Sequence, residues 1–403
     1  MPSSKIPGSE VLNLSDDDRY FSLNLGGPLY QLYLRSRLST PALGLLRRRV
    51  IAISLFCWLP LLVLAVADHH AIGVVAVPFL TDVEVHVRFL AALPVLIGAE
   101  LVVHRRIVIV VRQFVERKII DAEERTRFEE IIASTMRLRN SLWLEILLLI
   151  FCFTFGYWIW SDRLALATAT WYAEKSEHTT VFTRAGYWYV FVSLPIFRFL
   201  LVRWYFRLFL WYQFLWRVRG LRLRLNLYHP DRVAGLGFLA GSIPAFAPVL
   251  LAQSILVSGF IGGRIWHAHA SLLDFKLEIV GFLVFLVLLV LAPLSFFVFH
   301  LELARRMARR EFGILASTYV DSFRDKWVQH ISVSAEPLLG TPDLQSLADL
   351  GNSFNTVNDI GLLPFGKQAL ISLGGILLLP LVPLVLTIVP LKDIVDWIIK
   401  LAF

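Results

Sequence analysis

The sequence predicts an all-α integral membrane protein with about seven transmembrane helices, within a range of six to seven. Of its 403 residues, 57% are hydrophobic and only 17% are charged, whereas about a quarter of the residues in a typical soluble domain are charged. The apolar residues are concentrated in stretches near the roughly 20 residues that a helix needs to cross about 30 Å of hydrocarbon. The charged residues are nearly confined to the segments between these stretches.

Seven stretches qualify as spans, and the first two are short enough that their ends must extend into flanking polar residues. They are Val50–Val66, Val87–Val103, Leu142–Trp160, Trp188–Leu210, Leu236–Ile261, Leu277–Phe299 and Ala369–Pro390. The last span contains three prolines, so its full crossing is left open. The tail after it, Leu391–Phe403, is predicted to be a short interfacial helix.

The spans divide the chain into membrane parts and predicted cytoplasmic parts. The membrane parts are 50–103, 142–210, 236–299 and 366–403 (the last span with its tail), and the cytoplasmic parts are an N-terminal segment (1–49), a helical hairpin (104–141), a basic loop (211–235) and a helical block (300–365). The hairpin is predicted because no glycine or proline occurs between Ala99 and Phe155. Both helices can then continue beyond the membrane and meet at a turn near Asp121.

Basic residues are concentrated in alternate loops, and this pattern predicts the direction in which each span crosses the membrane. Arginines precede the first span, nine basic residues follow the second between Arg105 and Arg139, and further groups follow the fourth and the sixth. Because lysine and arginine accumulate on the cytoplasmic side, the N-terminus is predicted to be cytoplasmic. The first 45 residues lack the pattern of a signal peptide, so the first span is expected to be retained.

Five ionisable residues lie at membrane depth and are the first candidates for function, because charge is costly there. They are Arg88, Glu100, Glu145, Arg198 and Arg203. Two interpretations compete: a polar relay or ion path, and structural ion pairs with side chains that reach the headgroups. Arg198 is the most unusual of the five, since it lies near the middle of its span, three residues after Pro195.

Candidates outside the membrane are a loop and a group of histidines. The loop carries Tyr228-His229-Pro230-Asp231-Arg232, which matches a chaperone J-domain tripeptide but also suits a turn in which Asp231 caps the next helix. No metal site is assigned, although His69, His70, His267 and His269 on the outer side would be its ligands if they clustered in space. Nothing resembles a Walker loop or a nucleophile elbow, and no cofactor is predicted.

The predicted partners are lipids and, through small-residue motifs, a second copy of the chain. Arginines alternate with tryptophans after Pro195, and this stretch is interpreted as bending to lie along anionic headgroups at the cytoplasmic face. Nucleic acid is not expected beside membrane spans. Gly237-x-x-x-Gly241 and Gly259-x-x-x-Gly263 indicate close helix packing, either within the chain or in a homo-oligomer.

Two stretches resemble a family of uncharacterised multi-pass bacterial inner-membrane proteins. They are Leu227–Ala240 (LYHPDRVAGLGFLA) and the chain from Asp349 onward (DLGNSFNTVNDIGLLPFG, then LLPLVPLVLTIVPLKDIVDWIIKLAF). The resemblance implies the bacterial inner membrane and implies no activity.

For function, the broken helices and the charges at mid-membrane favour a transporter or channel-like protein for a small solute or ion. The alternative is a membrane-embedded scaffold or sensor that binds a cytoplasmic partner through the 104–141 hairpin and the 300–365 block. An enzyme ranks third, because it requires His229 and Asp231, or the outer histidines, to converge with other polar groups in a pocket.

Overall fold

The computed structural model describes residues 21–38, 40, 44–73, 75–163, 170–175, 180–329 and 341–387. Most of this part of the chain is helical, which confirms the predicted all-α fold class. Its strands are a small antiparallel pair, β1 (Ala173–Lys175) and β2 (Thr180–Phe182). The predicted interfacial tail, Leu391–Phe403, lies outside the described residues.

Ten helices occur in the described ranges, and six of them are long and apolar enough to cross a membrane. The six are α2 (Leu46–Ala67), α3 (Val83–Glu116), α6 (Arg184–Val218), α7 (Leu236–Ala268), α8 (Leu272–Val328) and α10 (Lys367–Val385). The others are α1 (Pro28–Arg35), α4 (Arg125–Arg139), α5 (Leu142–Arg163) and α9 (Pro342–Asn358). Helix α5 covers the third predicted span and is apolar from Leu142 to Thr154. The chain is therefore a multi-pass membrane protein.

The predicted helical hairpin is present at one end of the bundle. Helix α3 ends at Glu116 and α4 begins at Arg125, so the turn surrounds the predicted position. Phe114 and Phe128 are fully buried between the two arms, with ring centroids 5.7 Å apart. Phe214 of α6 packs against both rings, which ties the hairpin to the spanning helices.

The interpretation that the chain bends after Pro195 to lie along the headgroups is wrong. Helix α6 continues without interruption to Val218. Trp204 and Trp211 are almost completely buried, while Trp216 is half exposed. Two of the three tryptophans in this stretch therefore fill the space between helices, and burying them stabilises the continuous helix.

Helices α3 and α6 share a local irregularity that joins them. Each contains a π-helical turn, Val87–Ala92 in α3 and Tyr189–Ser193 in α6, and each turn is followed by Leu-Pro. A π turn before a proline accommodates the carbonyl that the proline leaves without a donor. Arg88 in the first π turn donates a hydrogen bond to the Tyr189 hydroxyl in the second.

Helix α7 packs along α3, and its glycines make this approach possible. A Cβ atom on Gly259 would lie 2.8 Å from Val87, and one on Gly241 would lie 3.3 Å from Val110. Gly237 likewise faces Asp231. These glycines serve packing within the chain, and the predicted homo-oligomer stays a prediction.

The proline-rich last span is helical through its described length. Helix α10 passes through a 3₁₀ turn at Leu379–Leu381. Ser254 and Ser258 of α7 donate hydroxyl hydrogen bonds to the carbonyls of Leu377 and Pro380, the second at 2.6 Å. Side-chain hydroxyls thus satisfy backbone carbonyls near the break, as is required inside a membrane.

Helices α8 and α9 form a separate small core beyond the spans. Helix α8 is interrupted by a 3₁₀ segment at Ala292–Phe297, which contains Pro293. Further along it, Ala308 and Phe312 pack against Val357 and Ile360. Helix α9 begins directly after its N-cap residue Thr341, with proline in its first turn.

Candidate functional site

A buried network of charged side chains lies where α2, α3, α5 and α6 meet near the hairpin. Glu100 of α3 accepts a hydrogen bond from Arg207 Nη2 at 2.9 Å. The same carboxylate lies 3.1 Å from Arg49 Nη2 and 3.6 Å from Arg203 Nη1. Glu145 joins the network through Arg203 Nε at 3.3 Å. These five residues are called the arginine cluster below.

Helix geometry brings the arginine cluster together. Arg203 and Arg207 are four residues apart on α6 and therefore lie on one face, a turn apart. Arg49 lies in the first turn of α2, and Glu145 in the first turn of α5. The cluster therefore forms at the hairpin end of the spanning helices, where two helix starts meet the sides of α3 and α6.

The arginine cluster is buried and, among the described residues, contains more guanidinium groups than carboxylates. None of its five side chains is more than 8% exposed. Three guanidinium groups face two carboxylates within the described residues. Arg207 also stacks on Trp204 at 4.5 Å, and Arg49 on Tyr33 at 5.2 Å, which adds cation–π stabilisation.

A segment before the first span closes the arginine cluster from the hairpin end. Residues 21–35, called the N-terminal cover, include α1 and begin with four residues that are at most 2% exposed. Asn24 Nδ2 donates to the Glu100 carbonyl at 2.5 Å, and the Leu29 N–H donates to Glu145 Oε2 at 3.0 Å. Ser22 Oγ lies 2.9 Å from His104 Nδ1. The cover is thus hydrogen-bonded to both carboxylate-bearing helices.

Two glycines allow the N-terminal cover to approach so closely. Gly26 and Gly27 have φ angles of 146° and 86°, which favour glycine. A Cβ atom on Gly26 would lie 2.4 Å from Arg139 Nη2, and one on Gly27 would lie 2.9 Å from Glu145 Oε1. Pro28 then occupies the first turn of α1, where its missing N–H costs nothing. This turn fixes where the cover enters the cluster.

The structure separates the five membrane candidates into three groups. Glu100, Glu145 and Arg203 come together in the arginine cluster. Arg88 lies toward the other end of α3, where it bonds Glu84 and Tyr189. Arg198 lies between the two groups on α6 and is only partly buried. Within the described ranges, no hydrogen bond or ion pair joins Arg198 to another side chain.

The loop candidates His229 and Asp231 form a cap, as the turn sequence predicts. Asp231 accepts backbone N–H bonds from Val233, Gly235 and Gly237 at 2.9–3.1 Å, just before α7 begins. His229 Nδ1 lies 3.0 Å from the same carboxylate. Burial opposes ionisation of Asp231, but these N–H bonds and the nearby imidazole lower its pKa. The loop orients the start of α7.

The outer histidines do not assemble into a ligand set. Within the described residues, no group of three or more His, Cys, Asp or Glu side chains is placed to hold a metal ion. His69 and His269 are turn residues with positive φ after α2 and α7. His267 Nε2 instead lies 3.0 Å from the Thr81 carbonyl, and His70 contributes its carbonyl to the Phe79 N–H.

Two parts of the site were not selected from the sequence. Arg49 was grouped with the loop charges before the first span, yet it is fully buried. The N-terminal cover was treated as polar cytoplasmic chain, although Phe21 and Leu23 are 1% exposed. Its Gly-Gly-Pro sequence was the available sign of a specific turn.

Comparisons with known proteins found no similar protein. The chain matches no protein-family model, and no curated protein and no solved structure matches it.

Proposed function

We propose that this protein carries a small anion across the membrane, with the arginine cluster as its binding site and the N-terminal cover as its gate. The observation that carries the proposal is a buried site on spanning helices in which, among the described residues, three guanidinium groups meet two carboxylates. A site with this charge attracts anions and repels cations. The transport role expected from the sequence thereby becomes specific for anions.

The distribution of arginines along the bundle supports a path rather than a single site. Arg198, Arg203 and Arg207 follow one another along α6, separated by about 7.5 Å and 6 Å at 1.5 Å per residue. Arg88 lies toward the opposite end of α3, in its π-helical turn. An anion that enters at either end therefore meets positive charge at successive depths.

The N-terminal cover supports gating because its hydrogen bonds to the arginine cluster are individually weak. They are single bonds, among them Asn24 to the Glu100 carbonyl and Leu29 to Glu145, whereas Phe21 and Leu23 are packed in the core. Each such bond contributes about 1 kcal/mol net. An anion that competes with Glu145 for Arg203 would remove one anchor of the cover. Binding and opening are thereby coupled.

The proposal includes a location and an orientation. We place the protein in a bacterial inner membrane with its N-terminus and the hairpin in the cytoplasm. Support comes from the arginines that precede the first span and from the nine basic residues between Arg105 and Arg139. With this orientation the arginine cluster and its cover face the cytoplasm.

Flux through purified protein tests the proposal. Wild type in proteoliposomes should admit halide, nitrate or another small anion, measured with a trapped anion-sensitive dye. Arg207→Gln should abolish that flux because it removes one of the guanidinium groups of the site, whereas Arg217→Gln, on the same helix but exposed, should leave it unchanged. Thermal unfolding in detergent confirms that each variant folds. Equal flux in a folded Arg207→Gln variant would overturn the proposal.

The second candidate is a scaffold or sensor, and one surface favours it. Leu303, Met307 and Ile314 of α8 are 43–63% exposed. At 100° per residue they fall within about 40° of one another. Such a stripe suits packing against a helix of a partner protein. If wild type moves no anion, Ile314→Ser should abolish the cellular effect of the protein while leaving its fold intact.

A further inference from the structure

An apolar groove runs along α5, on the side that faces α1, α2 and α6. Its volume is about 570 Å³, and its wall includes Leu32, Leu149, Phe153 and Pro195. Helices α2 and α6 span the membrane, so this wall lies at the depth of lipid acyl chains. An apolar groove at this depth suits the binding of a hydrocarbon chain.

A polar pocket continues the groove toward the hairpin. It has a volume of about 800 Å³ and is lined by Gln31, Arg35, Arg139 and Asn140 among others. Leu32 lines both spaces, so they adjoin. Along α5 the lining passes from Leu142 in the polar pocket to Phe153 in the apolar groove, about 16 Å at 1.5 Å per residue. The combined space is polar at the hairpin end and apolar toward the membrane interior.

The polar pocket has positive charge without a matching carboxylate. Among the described residues, neither Arg35 nor Arg139 takes part in an ion pair. Arg139 donates instead to the Ser22 carbonyl and to Asn140 Oδ1. Burial lowers the pKa of the Arg139 guanidinium to about 10, and the charge of Arg203 acts in the same direction. A negatively charged group in the pocket would stabilise the charged form of Arg139 and so oppose both effects.

We propose that an anionic phospholipid occupies this space, with its phosphate against Arg35 and Arg139 and an acyl chain between α1 and α5. The polarity of the space matches that of a lipid in the leaflet at the hairpin end. No member of the arginine cluster lines this space, so the inference does not rest on the proposed transport. Because the lipid would contact α1, it would also hold the N-terminal cover in place.

Binding of defined lipids tests the proposal. Native mass spectrometry and thermal unfolding of the delipidated protein would be measured with phosphatidylglycerol, phosphatidylcholine and soluble glycerol phosphate. Phosphatidylglycerol should bind and raise the unfolding temperature more than either of the others. Arg35→Gln with Arg139→Gln should weaken its binding by about 10-fold or more, whereas Arg137→Gln, exposed on the same helix as Arg139, should not.

A second pair of variants keeps the test independent of the arginines. Ala52 lines the apolar groove, and Ala52→Phe should fill it and reduce phosphatidylglycerol binding. Its neighbour Ile51 is 58% exposed and is not part of the groove, so Ile51→Phe serves as the control. Equal binding of phosphatidylglycerol and phosphatidylcholine would overturn the proposal. So would glycerol phosphate that binds as tightly as the lipid, or Ala52→Phe protein that binds the lipid normally.

Discussion

Arg207 Nη2 donates to Glu100 Oε1 at 2.9 Å, across the contact between α6 and α3. One carboxylate thereby joins two spanning helices and, through Arg49, a third. The same contact positions an arginine-rich site beneath the N-terminal cover. Stability and the proposed anion binding therefore depend on the same atoms, and experiments have to separate the two.

Neutralising Glu100 tests its structural role. Glu100→Gln should lower the free energy of unfolding by about 3–5 kcal/mol, because three buried guanidinium groups would lose their shared counter-charge. Thermal unfolding in detergent measures the change. Glu116→Gln, at the exposed end of the same helix, should have little effect. Similar unfolding temperatures for the two variants would show that the network does not stabilise the fold.

Adding a methyl group at Gly27 tests whether the N-terminal cover acts as a gate. Gly27→Ala places a methyl group 2.9 Å from Glu145 Oε1 at a φ of 86°, so the N-terminal cover should loosen and anion flux should rise. Gly73 also has a positive φ but nothing within 4 Å of its added Cβ atom. Gly73→Ala therefore reproduces the backbone strain without the clash. Dye-based flux should rise in the first variant alone, and unchanged flux in both would argue against a gate.

The contact between α3 and α7 provides a stability test. Gly259→Ala should destabilise the protein by about 1–3 kcal/mol, since its methyl group would meet Val87 at 2.8 Å. Gly263, at the other end of the same motif, has nothing within 4 Å, so Gly263→Ala should be tolerated. The midpoints of thermal unfolding compare the two. Equal midpoints would show that α7 can shift without cost.

The Asp231 cap should make stability depend on acid pH. Burial opposes ionisation, but three backbone N–H groups and His229 lower the pKa of Asp231 in the folded protein. A carboxyl group with a lowered pKa adds stability above its unfolded pKa of about 3.9, and this stability is lost as pH falls through the folded pKa. Asp231→Asn should cost about 1–2 kcal/mol at neutral pH.

Unfolding of that variant should also depend less on pH than wild type below about pH 4. Asp359→Asn is the control, because Asp359 is half exposed and pairs only with the exposed Arg232 among the described residues. A wild-type pH profile that Asp231→Asn leaves unchanged would exclude the cap as its source.

Local patterns were enough to predict most of the fold. Span length and the absence of glycine and proline from Ala99 to Phe155 predicted the spans and the hairpin, because both follow from helix propensity and hydrocarbon thickness. The helices nonetheless extend further than the apolar stretches alone. Trp211 and Val218 show the reason: they are buried by neighbouring helices, and span length does not report that.

The site was only partly predictable because it depends on contacts between distant segments. Glu100, Glu145 and Arg203 were selected by the cost of charge at membrane depth. Arg49 and the N-terminal cover were not selected, since neither lies inside a predicted span. Asn24 reaches Glu100 from 76 positions away in sequence, and no local periodicity encodes such a contact.

Selectivity of the wild-type protein tests the central claim most directly. Proteoliposomes that contain the wild-type protein would be assayed side by side for uptake of a halide and of rubidium. Liposomes without protein would give the baseline. The proposed anion site at the three guanidinium groups of the arginine cluster predicts halide uptake well above the baseline and rubidium uptake at the baseline. Rubidium uptake above the baseline, or halide uptake no faster than in empty liposomes, would contradict an anion site on a transport path.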